Sequence, residues 1–204
     1  GIDSELHEFG EWDGWERGIT HIDMTAPRIR TLSGMQLAYS PSTSEDGIEG
    51  EIVFIPEVEN KEEFADWLKT IKGKFVLSSM YQPSGRPDYN WEKFATEKSL
   101  QKIRKERQEA ARKWSANFRK MGVNRRNINN TLEEAGAIGL LSNNWAGGFG
   151  ANRIFSAGTK NIPNIDLRLE DYTMLYRMVK SGANPKVKVV ATSKDLGTVP
   201  TFNT

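Results

Sequence analysis

The stretch Leu132-Glu133-Glu134-Ala135-Gly136-Ala137-Ile138-Gly139-Leu140-Leu141 constrains the fold more than any other. A helical run closes on Ala-Gly, and a short, fully apolar strand begins at once over 137–141. Further on, Ile162-Pro163-Asn164-Ile165-Asp166-Leu167 leads into the amphipathic helix pattern of 169–179, closed by Gly182. The same alternation of short strand and helix runs through the rest of the chain. Residues 35–40 alternate apolar and polar up to Pro41 and read as a strand, followed by a polar turn region over 42–50. The β-branched run 51–55, stopped by Pro56, reads as a buried strand. Phe64, Trp67, Leu68 and Ile71 stand at helical spacing, Gly73 ends that helix, and 74–79 is the next strand. Pro83, Gly85 and Pro87 make 81–89 a loop.

The longest segment, 91–121, carries one apolar stripe through Trp91, Phe94, Leu100, Ile103, Ala110, Trp114, Phe118 and Met121. It is predicted as a single amphipathic helix. A polar linker follows over 124–130, with Thr131 as the N-cap of the next helix and Glu134 at its capping-box position. Residues 186–192 alternate as a final strand. Residues 1–34, where Trp12, Gly14, Trp15 and Gly18 crowd together, read as an irregular or edge segment, and 193–204 as a linker. Short strands joined by helical crossovers predict an α/β fold with a mixed sheet.

With 204 residues the chain has the length of one domain with a sizeable core. Its hydrophobic fraction of 37% is low, but six Trp and nine Phe supply large apolar area, so a folded protein is expected. A net charge of +1 gives the whole chain no strong pull toward polyanions or acidic membranes. No apolar run approaches the roughly 18 residues of a membrane span, and no signal-peptide pattern opens the sequence. The start Gly1-Ile2-Asp3-Ser4 lacks Met and reads as the remnant of a cleaved tag, as on a piece of something longer. The absence of Cys excludes disulfides, zinc ribbons and thiol nucleophiles.

Candidate chemistry is sparse. His21-Ile22-Asp23 has the spacing of a metal-binding pair, but zinc needs at least three protein ligands and the only other histidine is His7. The pair is read as structural. Adjacent carboxylates Glu62-Glu63 and Glu133-Glu134 diverge on a helix rather than converge for acid–base work, and both are read as first-turn charges. The loop 143–158 includes Asn144-Trp145-Ala146-Gly147-Gly148-Phe149-Gly150-Ala151-Asn152, which lacks the Gly-Lys-Ser/Thr of a phosphate loop. Its Trp145, Phe149, Asn152 and Arg153 are the candidate contact surface, with a purely structural role as the other reading. No G-x-S-x-G nucleophile elbow occurs. Residues 91–121 carry ten Lys/Arg against four Glu, followed by Arg125 and Arg126. That excess makes a basic module for nucleic acid or another polyanion, through 91–126, the alternative function. Asn129-Asn130-Thr131 is a formal glycosylation sequon, meaningful in a eukaryotic secretory host.

Several motifs, in order, resemble the protease-associated insert of family-twenty-eight zinc peptidases, the aminopeptidase and carboxypeptidase-Q-like group. They are Glu8-Phe9-Gly10, Gly14-Trp15-Glu16, Tyr39-Ser40-Pro41-Ser42-Thr43, Gly50-Glu51-Ile52-Val53, Lys72-Gly73-Lys74-Phe75-Val76-Leu77 and the closing Val199-Pro200-Thr201-Phe202-Asn203-Thr204. The resemblance covers nearly all of 1–204 as one protease-associated domain. It implies a swivelling β/β/α fold, a small mixed β-sandwich or open barrel flanked by helices. It also implies a non-catalytic role, shaping substrate access or mediating domain and subunit contacts. Catalytic and zinc-binding residues are then expected outside this chain, with two zinc ions in the parent peptidase and no cofactor here. The partners implied are the catalytic domain of the same polypeptide, a peptide substrate and a second copy in a homodimer, in a secreted or periplasmic setting.

Overall fold

The computed structural model describes residues 4–150 and 152–203. The readings of the opening segment, the glycine-rich loop and the closing linker extend to residues 1–3, 151 and 204, which lie outside the described residues. Along the chain run β1 (His7–Ala26), β2 (Arg30–Thr31), β3 (Gly34–Gln36), β4 (Ile48–Phe54), α1 (Lys61–Leu68), β5 (Phe75–Leu77), α2 (Asp88–Phe94), α3 (Glu97–Met121), α4 (Ile128–Glu134), β6 (Gly139–Ser142), β7 (Asn164–Leu167), α5 (Leu169–Lys180) and β8 (Lys186–Asn203). All eight strands join one mixed sheet in the order β2-β1-β8-β4-β5-β6-β7-β3.

The middle of that sheet is parallel, β4 beside β5, β5 beside β6 and β6 beside β7. Every residue of β5, β6 and β7 is buried. Parallel strands read as unbroken apolar runs when helices cover both faces, and that is the case here. Successive side chains enter opposite cores. Phe75 and Leu77 join Leu141, Ile165, Tyr172 and Leu175 under α5. Val76 and Leu140 join Phe64, Phe118, Met121 and Leu132 under α1, α3 and α4. Each such side chain contributes about 1.5–3 kcal/mol by leaving water. Gly139 is required between these layers, because a Cβ there would lie 2.4 Å from the Phe75 ring. Gly136, at φ +89°, takes the left-handed turn from α4 into β6, as the Ala-Gly junction predicts.

The other half is antiparallel. β1 pairs with β8 from His7–Asn203 to Ala26–Lys186 through four register shifts, and β8 then pairs with residues 48–51 of β4. Only the inner ends of this long pair meet the core, where Ile22, Met24, Val187, Val189 and Ala191 are buried. β3 pairs with β7 at the far edge. Its Gln36 reaches back to β1, its carbonyl accepting from Arg17 Nε (2.8 Å) and its N–H donating to Thr20 Oγ1 (3.2 Å). The sheet curls, but among the described residues no ladder closes it. The α/β class and mixed sheet stand as expected.

Several element boundaries are corrected. Residues 1–34 hold the longest strand rather than an irregular segment, and 193–203 continue β8 rather than forming a linker. Register shifts at Glu8/Gly10, Gly14/Trp15 and Arg17/Thr20 break the two-residue alternation, and the outer residues have no buried face to write one. The single helix 91–121 is two helices. Ala95 and Thr96 are extended, and Thr96 Oγ1 accepts the Ser99 N–H (3.3 Å) as the cap of α3. A capping hydroxyl offers the backbone an alternative to helix continuation. Thr131 caps nothing; it lies inside α4, its hydroxyl donating to the Asn127 carbonyl (3.1 Å). Glu133 and Glu134 therefore sit at the end of α4, not in its first turn. Glu133 accepts the Lys160 and Asn161 N–H groups instead. Glu62 and Glu63 do lie in the first turn of α1. There Asn60 accepts the Glu63 N–H, and Glu63 Oε2 accepts that of Glu59. Strand β7 has no counterpart in the sequence reading, since its buried Asn164 and Asp166 break the apolar run.

Candidate functional site

In an open α/β sheet, ligands gather where the chain leaves the carboxyl ends of the parallel strands, because loops there can vary while the strands hold them rigid. Here three segments leave that edge, residue 55 onward after β4, 78–87 after β5 and 143–163 after β6. A buried phenol ties the second in place: Tyr172 Oη of α5 donates to the Ser79 carbonyl (2.6 Å) and accepts the Ser79 N–H (2.9 Å). Burial pushes that phenol far above its ordinary pKa, so it stays a neutral donor. Ser79 in turn accepts the Asn143 N–H at Oγ (2.8 Å), joining the second loop to the third.

The glycine-rich loop is organised by Asp166 of β7, a carboxylate only 2% exposed. Its Oδ1 accepts from the Asn144 N–H (2.9 Å), Asn144 Nδ2 (2.8 Å) and Ser142 Oγ (3.3 Å); its Oδ2 accepts from Asn152 Nδ2 (2.6 Å). The next carbonyl, Leu167 O, accepts from Asn143 Nδ2 and Asn152 Nδ2, each at 2.7 Å. Burial raises the Asp166 pKa, while the hydrogen bonds from Asn152, Asn144 and Ser142 oppose that rise.

Around this hub the four candidate residues take different places. Asn152 points inward as a brace. Trp145 is half-buried, donating from its indole to the Gly148 carbonyl (2.7 Å), with the Arg107 guanidinium 5.2 Å above its ring. Phe149 is 59% exposed and meets Tyr89 edge-on at 6.4 Å. Arg153 is exposed, and its N–H donates to the Asn144 carbonyl (2.9 Å). Trp145 and Asn152 pair as an isolated bridge, so the loop closes on itself as a short hairpin.

Two adjoining cavities open along the same edge. One, of about 330 Å³, lies between Ser79, Gln82, Ser115, Arg125 and Asn143. The other, of about 440 Å³, runs between α3 and α5 over Phe54, Tyr81 and Tyr176. Trp114 and Met80 line both. Sequence reading missed this second cavity, treating Tyr81 as a loop residue, Trp114 as a member of a helical stripe and 169–179, which holds Tyr176, as an amphipathic helix. The readable signal was Tyr81, an aromatic just beyond an apolar strand end. An Asp between Ile165 and Leu167 was the matching signal for the loop hub, since Asp is depleted in strands and is rarely buried.

His21 and Asp23 stand two apart on one face of β1 and bond each other, Nε2 to Oδ2 at 2.8 Å. Asp23 also accepts from Thr31 of β2 (2.7 Å), the main reason its pKa is lowered. Among the described residues no three His, Asp or Glu side chains converge as a metal site, so this pair does not fit a zinc ion. Of the ten basic residues in 91–121, Lys102, Lys105, Arg104, Arg107 and Lys120 pair with Glu106, Glu109, Glu92, Asp88 and Glu59. Half of these basic residues are thus paired locally. Among the described residues no helix is long and apolar enough to cross a membrane.

No protein-family model and no curated protein sequence matches the chain. Solved structures do match in shape. A peptidase M28 precursor from Shewanella amazonensis aligns over 98% of this chain, with a TM-score of 0.59 and 14% identity. An aminopeptidase from an Aneurinibacillus species aligns over 97% with a TM-score of 0.54 and 11% identity. BSAP, a zinc aminopeptidase from Bacillus subtilis, aligns over 98% with a TM-score of 0.53 and 14% identity. At such identities the likeness is one of fold alone. The chain spans only 36–40% of the length of those structures.

Proposed function

We propose that this chain is a non-catalytic, protease-associated domain of a zinc exopeptidase, working beside a catalytic domain of the same polypeptide. The observation that carries the reading is the alignment of 97–98% of the chain with part of three peptidase structures, of which it covers 36–40%. The topology suits an accessory role. β1 and β8 pair His7 with Asn203, so both outer strand ends reach one edge of the domain. A unit built this way can be set into a host chain with both connections on one side.

In this role the loop 143–158, with Phe149 and Arg153 on its surface, faces the peptide path or a second subunit. The two zinc ions belong to the catalytic domain, and the whole protein works in a secreted or periplasmic setting. The test has two arms. The purified chain, supplied with zinc, is expected not to hydrolyse aminoacyl-p-nitroanilides or dipeptides; chelator-sensitive turnover contradicts the non-catalytic assignment. In the full-length polypeptide, Phe149→Ser with Arg153→Ser is expected to raise KM for peptides at least about threefold with kcat unchanged. Unchanged KM removes the loop from substrate access.

A further inference from the structure

We propose that the 440 Å³ cavity between α3 and α5 is a binding site for a small aromatic carboxylate. The inference rests on the cavity alone and not on the peptidase reading. Its size lies within the range of small-molecule sites, and it opens at the carboxyl ends of β4 and β5, where α/β sheets place ligands.

The floor is a slab of three aromatic rings. Tyr176 stacks on Tyr81 at 4.7 Å with 27° between planes, and its other neighbour, Phe54, lies at 4.8 Å. Trp114 forms part of the opposite wall, its orientation fixed by an edge-on contact with Phe118 at 5.2 Å. Rings held in this way offer faces and edges to another ring with little loss of side-chain freedom.

The rim supplies charge. Lys113 of α3 and Arg177 and Lys180 of α5 line the cavity and are exposed. None of the three makes an ion pair or a side-chain hydrogen bond among the described residues, unlike Lys102 and Lys105 one turn or more earlier on α3. The carboxylates are committed differently. Glu106 and Glu109 are held by those two lysines at 3.9 Å, leaving Glu57 as the lining carboxylate without a partner among the described residues. Glu57 stands near Tyr176, where its charge adds to burial in raising the phenol's pKa. Three free cations against one free carboxylate give the mouth a positive field, and a guanidinium is shaped to take a carboxylate with two parallel hydrogen bonds. A ligand with a planar apolar body and one terminal anion satisfies floor and rim together.

Three probes separate shape from charge: N-acetylphenylalanine as the anion, N-acetylphenylalaninamide as the neutral isostere and phenylalaninamide as the cation. Titration of the chain, followed by nuclear magnetic resonance at the Trp114 indole, is expected to give the anion a Kd on the order of 1 mM or tighter. The neutral probe is expected to bind about tenfold more weakly and the cation not to bind. Arg177→Gln with Lys113→Gln, both exposed and free of structural bonds, is expected to erase the preference for the anion while leaving neutral binding unchanged. Tyr176→Leu is expected to weaken both the anionic and the neutral probe at least about fivefold. Equal binding of acid and amide, preferred binding of the cation, or no shift at Trp114 with any probe overturns the proposal. Preference for the anion that survives the double variant also overturns it.

Discussion

The two halves of the sheet solve the same pairing problem with opposite economies of burial. In the parallel half, strands of three to seven residues are short, but β5, β6 and β7 are buried along their whole length. In the antiparallel half, β1 and β8 run for 20 and 18 residues, yet Phe9, Trp12, Ile19 and Phe202 are exposed. Hydrogen-bond pairing extends β1 and β8 outward, while water-excluding contact stops near Ile22 and Ala191. A two-stranded pair without a packed face is marginal in water. The contrast teaches that strand length here does not measure stability, and that the candidate site was assembled on the rigid half.

That contrast is most easily broken by paired truncations. Phe75→Ala, in the parallel half, is expected to cost about 3–5 kcal/mol, because the ring is fully buried in the core it shares with Ile52, Leu141, Tyr172 and Leu175. Trp12→Ala, in the outer ribbon, removes a side chain 62% exposed and is expected to cost less than about 1 kcal/mol. Urea unfolding measures both, and equal losses would erase the distinction. Trp114→Ala tests the border between core and cavity. Half-buried against Phe118 and facing the two cavities, it is expected to lose about 2–3 kcal/mol. A loss of about 5 kcal/mol would place it wholly in the core; less than about 1 kcal/mol would make that helix face free surface.

What the sequence revealed follows the same division. Within the predicted strands 74–79 and 137–141, the cores Phe75–Leu77 and Gly139–Leu141 announced themselves because both faces are dry, leaving short apolar runs. Residues 51–55 announced themselves by their β-branched side chains, although only Ile52 and Ile55 are buried there. Phe64 with Trp67 and Leu68, and Leu169 to Val179, announced helices with one covered face, although α1 ends at Leu68 and leaves Ile71 beyond it. The outer β1 and β8 were invisible: a strand exposed on both faces has no apolar alternation, and Gly10, Gly14 and Gly18 read as breaks. The split at Ala95-Thr96 was hidden because the apolar stripe continues across it, whereas the Thr96 cap is a local backbone choice. At the site, the sequence exposed Trp145 and Phe149 as loop aromatics. It could not place Asn152 against Asp166, a contact made only when β6 and β7 pair.

Charge offers a subtler way to sharpen the comparison. Asp166→Asn replaces an acceptor of four hydrogen bonds with a group that presents an NH₂ to other donors. It is expected to cost about 1–3 kcal/mol and to speed proteolysis within 143–158. Its pH dependence opposes that of Asp23. The Asp166 pKa is raised by burial, so between the ordinary value of 3.8 and the raised folded value the native state holds the extra proton. The stability of the natural chain relative to Asp166→Asn should therefore be greatest below 3.8 and decline as pH rises through the folded value. The Asp23 pKa is lowered, first by Thr31, so its contribution is present above 3.8 and fades as pH falls through the lowered value. Parallel slopes for Asp166→Asn and Asp23→Asn across about pH 3–7 would contradict this assignment.

Amide hydrogen exchange tests the division of the molecule most directly. The amides of Val76, Leu77, Leu140 and Leu141 should exchange only by global unfolding, while those of β1 from Glu8 to Asp13, though paired with β8, should exchange through local opening at far lower free energy. Protection of the outer β1 amides equal to that of β5 and β6 would contradict the account.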